Sequence, residues 1–264
     1  MSDSKVIVIT GASSGIGAEL ARQLAAQGHR LALAARRDAE LTEVASQCGP
    51  ETLAMVTDVR RRKDVERLRD RAIERFGHVD VWVNNAGRGI GRHVLDLTDE
   101  DVDEMIAVNL KSALYGMQVI VPHFKERGAG HLVNVSSFLG RVPMASIRSV
   151  YSASKAALNS LTANLRMDLR REYPNIHVSL VMPGLVATEF AGNALGGTPS
   201  VAPPPGVMKP QSAEEVATAI ANLIDHPVPE IYTNPALAGI ARRYYDDVGA
   251  FEAGFGQAPP AANR

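Results

Sequence analysis

Tyr151 and Lys155 lie four positions apart in "VYSASKAAL" (150–158), a stretch that reads as the head of a helix, so a phenol and an ammonium share one helix face. Such a phenol either packs or moves a proton, and the pair alone leaves both readings open. A second chemistry is written in "TGASSGIG", residues 10–17, between an apolar run and a helical pattern. Gly11 permits a tight turn, Gly15 lets the backbone approach a phosphate, and Gly17 allows a helix to pack closely on a sheet. The helix amino terminus that follows offers unpaired N–H groups and partial positive charge to a pyrophosphate. The glycines are spaced four and then two apart, unlike the common two-then-three dinucleotide fingerprint. It is the strand–turn–helix context that favours cofactor binding over a structural loop.

The choice of dinucleotide is expected at the end of the second strand, "AARRD". A carboxylate there would accept a hydrogen bond from the ribose 2'-hydroxyl and repel a 2'-phosphate, whereas an arginine would pair with the phosphate. Ala35 stands where the acid is expected, and Arg36 and Arg37 follow it. NADP(H) is therefore favoured, with NAD(H) possible, although Arg37 taken alone suits a solvated surface. Asp58, after the third strand, either accepts a hydrogen bond from an adenine amine or caps a turn.

The elements that must position these groups follow from hydrophobic periodicity. Six short, nearly continuous apolar runs, at 5–10, 30–35, 52–56, 79–84, 131–136 and 177–182, read as buried parallel strands. Helical patterns separate them. Ile16, Leu20 and Leu24 repeat at helical spacing before Gly28, Gly77 should end a helix begun near Asp64, Thr98 should cap the next, and Ser212 with Glu215 forms a capping box. The alternation predicts an α/β fold: a doubly wound (Rossmann-type) parallel sheet with helices on both faces, as a single domain over 1–264. Residues 193–210, rich in Gly and Pro, break the rhythm and are expected to form a mobile substrate loop, and the tail 255–264 should fray.

A net charge of −1 gives no footprint for nucleic acid, and the basic run 60–63 reads as a solvated helix start. Cys48 is the only cysteine, which excludes an internal disulfide and a cysteine-built metal cluster and suits a reducing compartment. With no leader pattern and no run near the ~18 apolar residues of a spanning helix, a cytoplasmic protein without a membrane partner is expected.

Together the motifs resemble those of the short-chain dehydrogenases/reductases, in the compact single-domain subtype, from about residue 5 to residue 190. The likeness rests on "TGASSGIG", "DV" at 58–59, "NNAG" at 84–87, "VNL" at 108–110, "VNVSS" at 133–137, "YSASK" at 151–155 and "MPGLVAT" at 182–188. It implies hydride transfer between a nicotinamide and a small carbonyl or secondary-alcohol substrate, in a homodimer or homotetramer. Tyr151 matches the acid/base residue. A free phenol titrates near about 10, and Lys155, one turn on, together with an oxidised nicotinamide ring would favour its phenolate. The resemblance also has Lys155 holding the nicotinamide ribose, Ser137 rather than Ser136 bonding the substrate oxygen, and Asn109 kinking a helix and connecting the lysine to solvent.

On the same resemblance the cofactor would lie against Gly11, Ser13, Ser14, Gly15, Ile16 and Gly17, with Arg36, Arg37, Asp58 and Val59 beyond the second and third strands. Asn85, Ala86 and Gly87, beside Asn84, would close the adenine pocket, and Pro183, Gly184, Val186 and Thr188 would flank the nicotinamide. Phe138, Leu139, Val142, Met144, Ile147, Leu185 and Phe190 are divided between substrate pocket and core. Two departures stand out. Ser137 and Tyr151 are separated by 14 positions, one more than is usual, and "EIYTNPALAGIARRYYDD" (230–247) replaces the expected strand ending in paired glycines. A non-catalytic dinucleotide-binding regulator of the same fold would be signalled by loss of the tyrosine, lysine or serine, and none is lost.

Overall fold

The computed structural model describes residues 4–190, 192–197 and 209–254, so most of the expected substrate loop and the whole expected frayed tail lie outside the described residues. In chain order the elements are β1 (Val6–Thr10), α1 (Gly15–Ala26), β2 (Arg30–Ala35), α2 (Asp38–Cys48), β3 (Thr52–Val56), α3 (Arg62–Phe76) and β4 (Val81–Asn84). Then come α4 (Asp99–Ile106), α5 (Ser112–Arg127), β5 (Gly130–Val135), α6 (Ser149–Leu169), β6 (Ile176–Met182), α7 (Ala213–Asp225), β7 (Glu230–Tyr232), α8 (Ala236–Asp246) and α9 (Val248–Gly254). Among the described residues the strands form one sheet in the order β3-β2-β1-β4-β5-β6-β7, every pair parallel. The chain starts in the middle, winds to one edge, and returns to lay β4 against β1. That reversal leaves a crevice outside the carboxyl ends of the central strands.

Strand alternation divides the core. Ile7 and Ile9 of β1 face α1, α2 and α7 with Leu20, Leu24, Leu41 and Ile220, whereas Val6 and Val8 face α3, α5 and α6 with Leu68, Trp82, Phe124 and Leu158. The helix ends obey the sequence signals. Gly77 closes α3 in the left-handed conformation, and Thr98 with Asp101 and Ser212 with Glu215 form capping boxes on α4 and α7. Two expectations need correction. Glu230–Tyr232 is a seventh strand pairing with β6, short enough to escape a period-2 reading. The helix Asp99–Arg127 is also long and apolar enough to cross a membrane by length and composition, with a mean hydropathy of 1.2 over its most apolar window, half of which is buried in the fold.

A buried polar chain crosses the centre of the molecule. The Trp82 indole donates to Asn84 Oδ1 (2.8 Å), Asn84 Nδ2 donates to Asn134 Oδ1 (2.9 Å), and Asn134 Nδ2 donates to Thr162 Oγ1 (3.0 Å), which in turn donates to the Leu158 carbonyl (2.7 Å). It ties β4 and β5 to α6. Gly116 of α5 leaves the room, since a Cβ there would run into the Asn84 carboxamide and stand 2.7 Å from the Trp82 indole nitrogen. Gly116→Ala is expected to cost about 2 kcal/mol by overpacking and by breaking buried hydrogen bonds. Denaturant unfolding checks this, and an unchanged midpoint would show that α5 can back away from the sheet.

Candidate active site

The groups singled out by spacing meet at the carboxyl edge of the sheet. Gly11 has φ +69° and Gly15 φ +55°, the left-handed region that glycine adopts without strain. A Cβ on Gly11 would stand 2.8 Å from Ala86 Cα, and one on Gly17 would press into the Gly11 carbonyl and the Asn85 amide. The turn is held from the next strand: Asn85 Nδ2 donates to the carbonyls of Thr10 (3.0 Å) and Gly11 (3.2 Å), and the Thr10 hydroxyl accepts from the backbone of Asn85 and Ala86. Sequence reasoning missed Thr10. Ser14 stands at the N-cap of α1 without a side-chain cap, and no acid lies in the first turn. The N–H groups there and the bare glycines fit a dinucleotide pyrophosphate. A cleft of about 420 Å³ opens beside them, lined by Ser13, Ser14, Gly15, Arg37, Thr188 and Glu189.

Two of the catalytic candidates, Asn109 and Lys155, meet at Gly87. A Cβ there would be 3.2 Å from Asn109 Oδ1 and 3.6 Å from Lys155 Nζ. Asn109 sits in the wide turn Ala107–Lys111 that joins α4 to α5. Such turns insert one residue into a helix and are frequent at functional sites. The side chain of Asn109 accepts from the Arg88 backbone N–H (2.9 Å) and donates to the Arg88 carbonyl (3.0 Å) and to Ser154 Oγ (3.2 Å). Lys155 is buried, and its Nζ donates to the carbonyl of Val135, the last residue of β5, at 2.9 Å. Burial brings the ammonium down to about 8. Ser136 turns away to donate to Asn159, leaving Ser137 as the serine beside the phenol.

Tyr151 is buried at the first turn of α6, and that burial pushes its phenol above the ordinary value. A hydrogen bond with Ser137 and the charge of Arg148 act in the opposite direction. Lys155 Nζ lies 5.9 Å from the centre of the Tyr151 ring while donating to Val135, and Arg148, which spacing had not picked out, is a second cation that favours the phenolate. Phe190 packs edge-to-face on Tyr151 with ring centres 5.6 Å apart.

The remaining candidates divide. Arg36 is exposed at the end of β2, whereas Arg37 reaches Ser13 Oγ (3.3 Å), Glu40 (3.2 Å) and, across the cleft, Glu189 (3.9 Å). Asp58 makes the turn: its carboxylate is gripped by the Arg60 guanidinium at 2.7–3.1 Å and also accepts from the Arg60 backbone N–H. Arg60 continues to Glu104 (2.9 Å), and Glu104 to Arg88 (3.3 Å), an ion network that no local motif announces. Val59 is buried in the core, and Ile16 packs partly against the other core face. The carbonyl of Pro183 accepts from Phe138 N–H (2.8 Å), Gly184 packs against Leu237, and Val186 bridges to Gln211. Thr188 faces Gly15, its methyl 3.4 Å from where a Cβ would be. Phe138 and Val142 are core, in a cluster with Leu237 and Ala241, while Leu185 is exposed.

With this geometry in hand, comparison with known proteins is specific. The family model described as short chain dehydrogenase matches residues 5–196. The uncharacterized oxidoreductase YxnA of Bacillus subtilis (strain 168) is 36% identical over 248 residues, covering 90% of this chain and 67% of that protein. A short chain dehydrogenase/reductase from Burkholderia phymatum in complex with NAD superposes with TM-score 0.84 at 29% identity, over 99% of both chains. A short-chain dehydrogenase from Sphingobium yanoikuyae in complex with NADPH gives 0.79 at 26% identity, over 98% of this chain and 99% of that one.

The buried ammonium has a consequence for stability. Because Lys155 titrates at about 8 in the folded protein and at ~10.4 when unfolded, the unfolded chain holds the proton more tightly. Folding is therefore opposed fully below pH ~8, and the penalty is relieved as pH rises towards ~10. Lys155→Met is expected to be more stable than the parent by about 2 kcal/mol at pH 7. Urea unfolding across pH 7–10 should show the difference shrinking. A variant less stable than the parent at pH 7 would refute it.

Proposed function

Because the chain belongs to the short-chain dehydrogenase family, we propose that it is an NADP(H)-dependent oxidoreductase interconverting a small carbonyl compound and its secondary alcohol, with Tyr151 as acid/base. The observation that carries this reading is that Lys155 and Asn109 meet over the bare Cα of Gly87 while Tyr151, its ring centre 5.9 Å from Lys155 Nζ, is bonded to Ser137, at the carboxyl edge where the glycine turn lies. When bound, the nicotinamide supplies or accepts the hydride. Gly11, Gly15 and Gly17 with the α1 amino terminus hold the pyrophosphate, and Thr188 closes over Gly15. Ser13, Ser14 and Ile16 line the same turn, with Asn85, Ala86 and Gly87 behind it.

Ser137 holds the substrate oxygen and Tyr151 gives it a proton during reduction or removes one during oxidation. Lys155 holds the nicotinamide ribose, and Asn109 fixes the backbone at Arg88 beside it. Pro183, Gly184 and Val186 shape the wall opposite. The choice of NADP(H) rests on this chain's own residues, since its relatives hold either dinucleotide. No acid stands at Ala35, and Arg36 is exposed where a 2'-phosphate would lie, with Arg37 tethered to Ser13 and Glu40 beside it. Asp58 and Val59 shape the turn at the adenine end. The protein acts in the cytoplasm as a homodimer or homotetramer on small molecules.

Tyr151→Phe is expected to bind NADPH as the parent does and to lose at least ~1000-fold in kcat, within the range that general acid/base groups contribute. Cofactor fluorescence and absorbance at the nicotinamide band, with a panel of carbonyl compounds, measure both. Turnover that survives removes Tyr151 from the mechanism. Ala35→Asp should shift the ratio of kcat/KM values for NADPH over NADH towards NADH by about 100-fold, the worth of one charge-assisted pair. An unmoved ratio would mean that the 2'-phosphate is read elsewhere.

A further inference from the structure

Arg148 is the residue just before α6, at the end of the loop that carries the extra position between Ser137 and Tyr151. Its guanidinium is fixed. Nη1 donates to the Ile90 carbonyl at 2.9 Å, and the backbone on either side is laced to the strand-like segment 90–92: Arg92 N–H donates to the Ile147 carbonyl (2.9 Å) and Ser149 Oγ to the Arg92 carbonyl (2.7 Å). Gly89 makes the space. A Cβ there would be 3.0 Å from Arg148 Nη1 and 2.9 Å from Phe190 Cε1, so the guanidinium and the Phe190 ring both rest on that bare Cα. Phe190 in turn packs on Tyr151. Arg148, Phe190 and Tyr151 thus lie in series from Gly89, and Tyr151 packs in turn with Ile90, Met105 and Val150.

We propose that Arg148 is a positioning residue for the reaction: its anchored guanidinium holds a fixed positive charge beside the Tyr151 phenol so that the phenolate form can exist in a buried site. The proposal rests on the reading of Tyr151 as acid/base. Lys155, bonded to the neutral carbonyl of Val135 with its Nζ 5.9 Å from the Tyr151 ring centre, adds its own positive charge to that of Arg148, whereas the nearby acids are paired: Asp101 of α4 with Arg92 (3.1 Å), Glu104 with Arg60 and Arg88, and Glu189 with Arg37. Burial opposes ionisation of Tyr151 while Arg148 favours it, and the interaction is reciprocal, since the phenol also favours the charged form of Arg148. A guanidinium suits this role because it keeps its proton even when half-buried. The amino terminus of α6 adds positive potential on the same side.

The test reads the phenol directly. Tyrosine labelled with carbon-13 at Cζ gives six signals, and the one lost in Tyr151→Phe is that of Tyr151. In the NADP-bound protein, Arg148→Gln should move its titration midpoint up by about one pH unit, the low end of the effect of a nearby opposite charge. Arg148→Lys should restore most of the shift. Arg148→Met serves as a second neutral variant should the glutamine destabilise the loop, with thermal unfolding as the control for folding. An equal midpoint in a folded neutral variant overturns the proposal. So does a parent Tyr151 signal that shows no ionisation up to the pH of unfolding. Turnover retained by Tyr151→Phe would instead overturn the acid/base reading, while the effect of Arg148 on the phenol stays measurable.

Discussion

An ammonium withdrawn from water has to be held by groups that cannot move away from it, and Lys155 imposes that requirement on the whole carboxyl edge. Its Nζ is bonded to the carbonyl that ends β5, and its own backbone is clamped as well: the Ser136 hydroxyl reaches its carbonyl at 3.3 Å, and a Cβ on Gly140 would stand 2.7 Å from its carbonyl carbon. Three successive features of one connection, the strand end, the serine and the glycine, therefore grip one residue of α6. The phenol one turn earlier inherits that rigidity. A parallel sheet covered on both faces makes the arrangement affordable, because it closes water out from below while leaving the crevice above.

Rigidity of α6 also comes from within. The chain of carboxamides from Trp82 through Asn84 and Asn134 to Thr162 is satisfied at every link, which makes it a specifying device rather than a weak point in the core. Asn109 does the equivalent on the other side, pairing its amide with both backbone groups of Arg88. Sheet, α6 and the helix carrying Asn109 are thus registered by amides that each have one good partner geometry. Apolar packing alone would hold the same elements together without fixing their relative rotation.

The sequence carried most of the architecture because the strands are short apolar runs and the helices announce their ends with Gly77, Thr98 and Ser212. It failed at β7, where three residues, Glu230–Tyr232, hold too little pattern to distinguish a strand from a loop. At the site, the spacing of Tyr151 and Lys155 left two readings open, and it was the resemblance carried by the ordered set of motifs that pointed to them and to Ser137 and Asn109. Arg148 and Thr10 were not legible. Arg148 is placed by a contact with Gly89 that lies some sixty positions away in the chain, and Thr10 works through a hydroxyl aimed at a neighbouring strand. Asp58 offered two readings of equal chemistry, and only the position of Arg60 shows its carboxylate engaged in the turn. Side-chain partners brought together by topology leave no local mark.

The wide turn at Ala107–Lys111 has a further meaning for the helix that contains it. One supernumerary residue advances everything after it by about 100° around the helix axis. The face that α5 shows to α3 and the sheet is consequently out of phase with the face that α4 shows to α6, where Met105 packs with Val150 and Tyr151, and no straight heptad reading of 99–127 describes both. Two surfaces with separate partners, one gripping the sheet and one gripping α6, share a single continuous rod because its thread is offset midway. A lineage that lost that one residue would keep its helix and its hydrophobicity, and would surrender the alignment of Asn109 with everything around it.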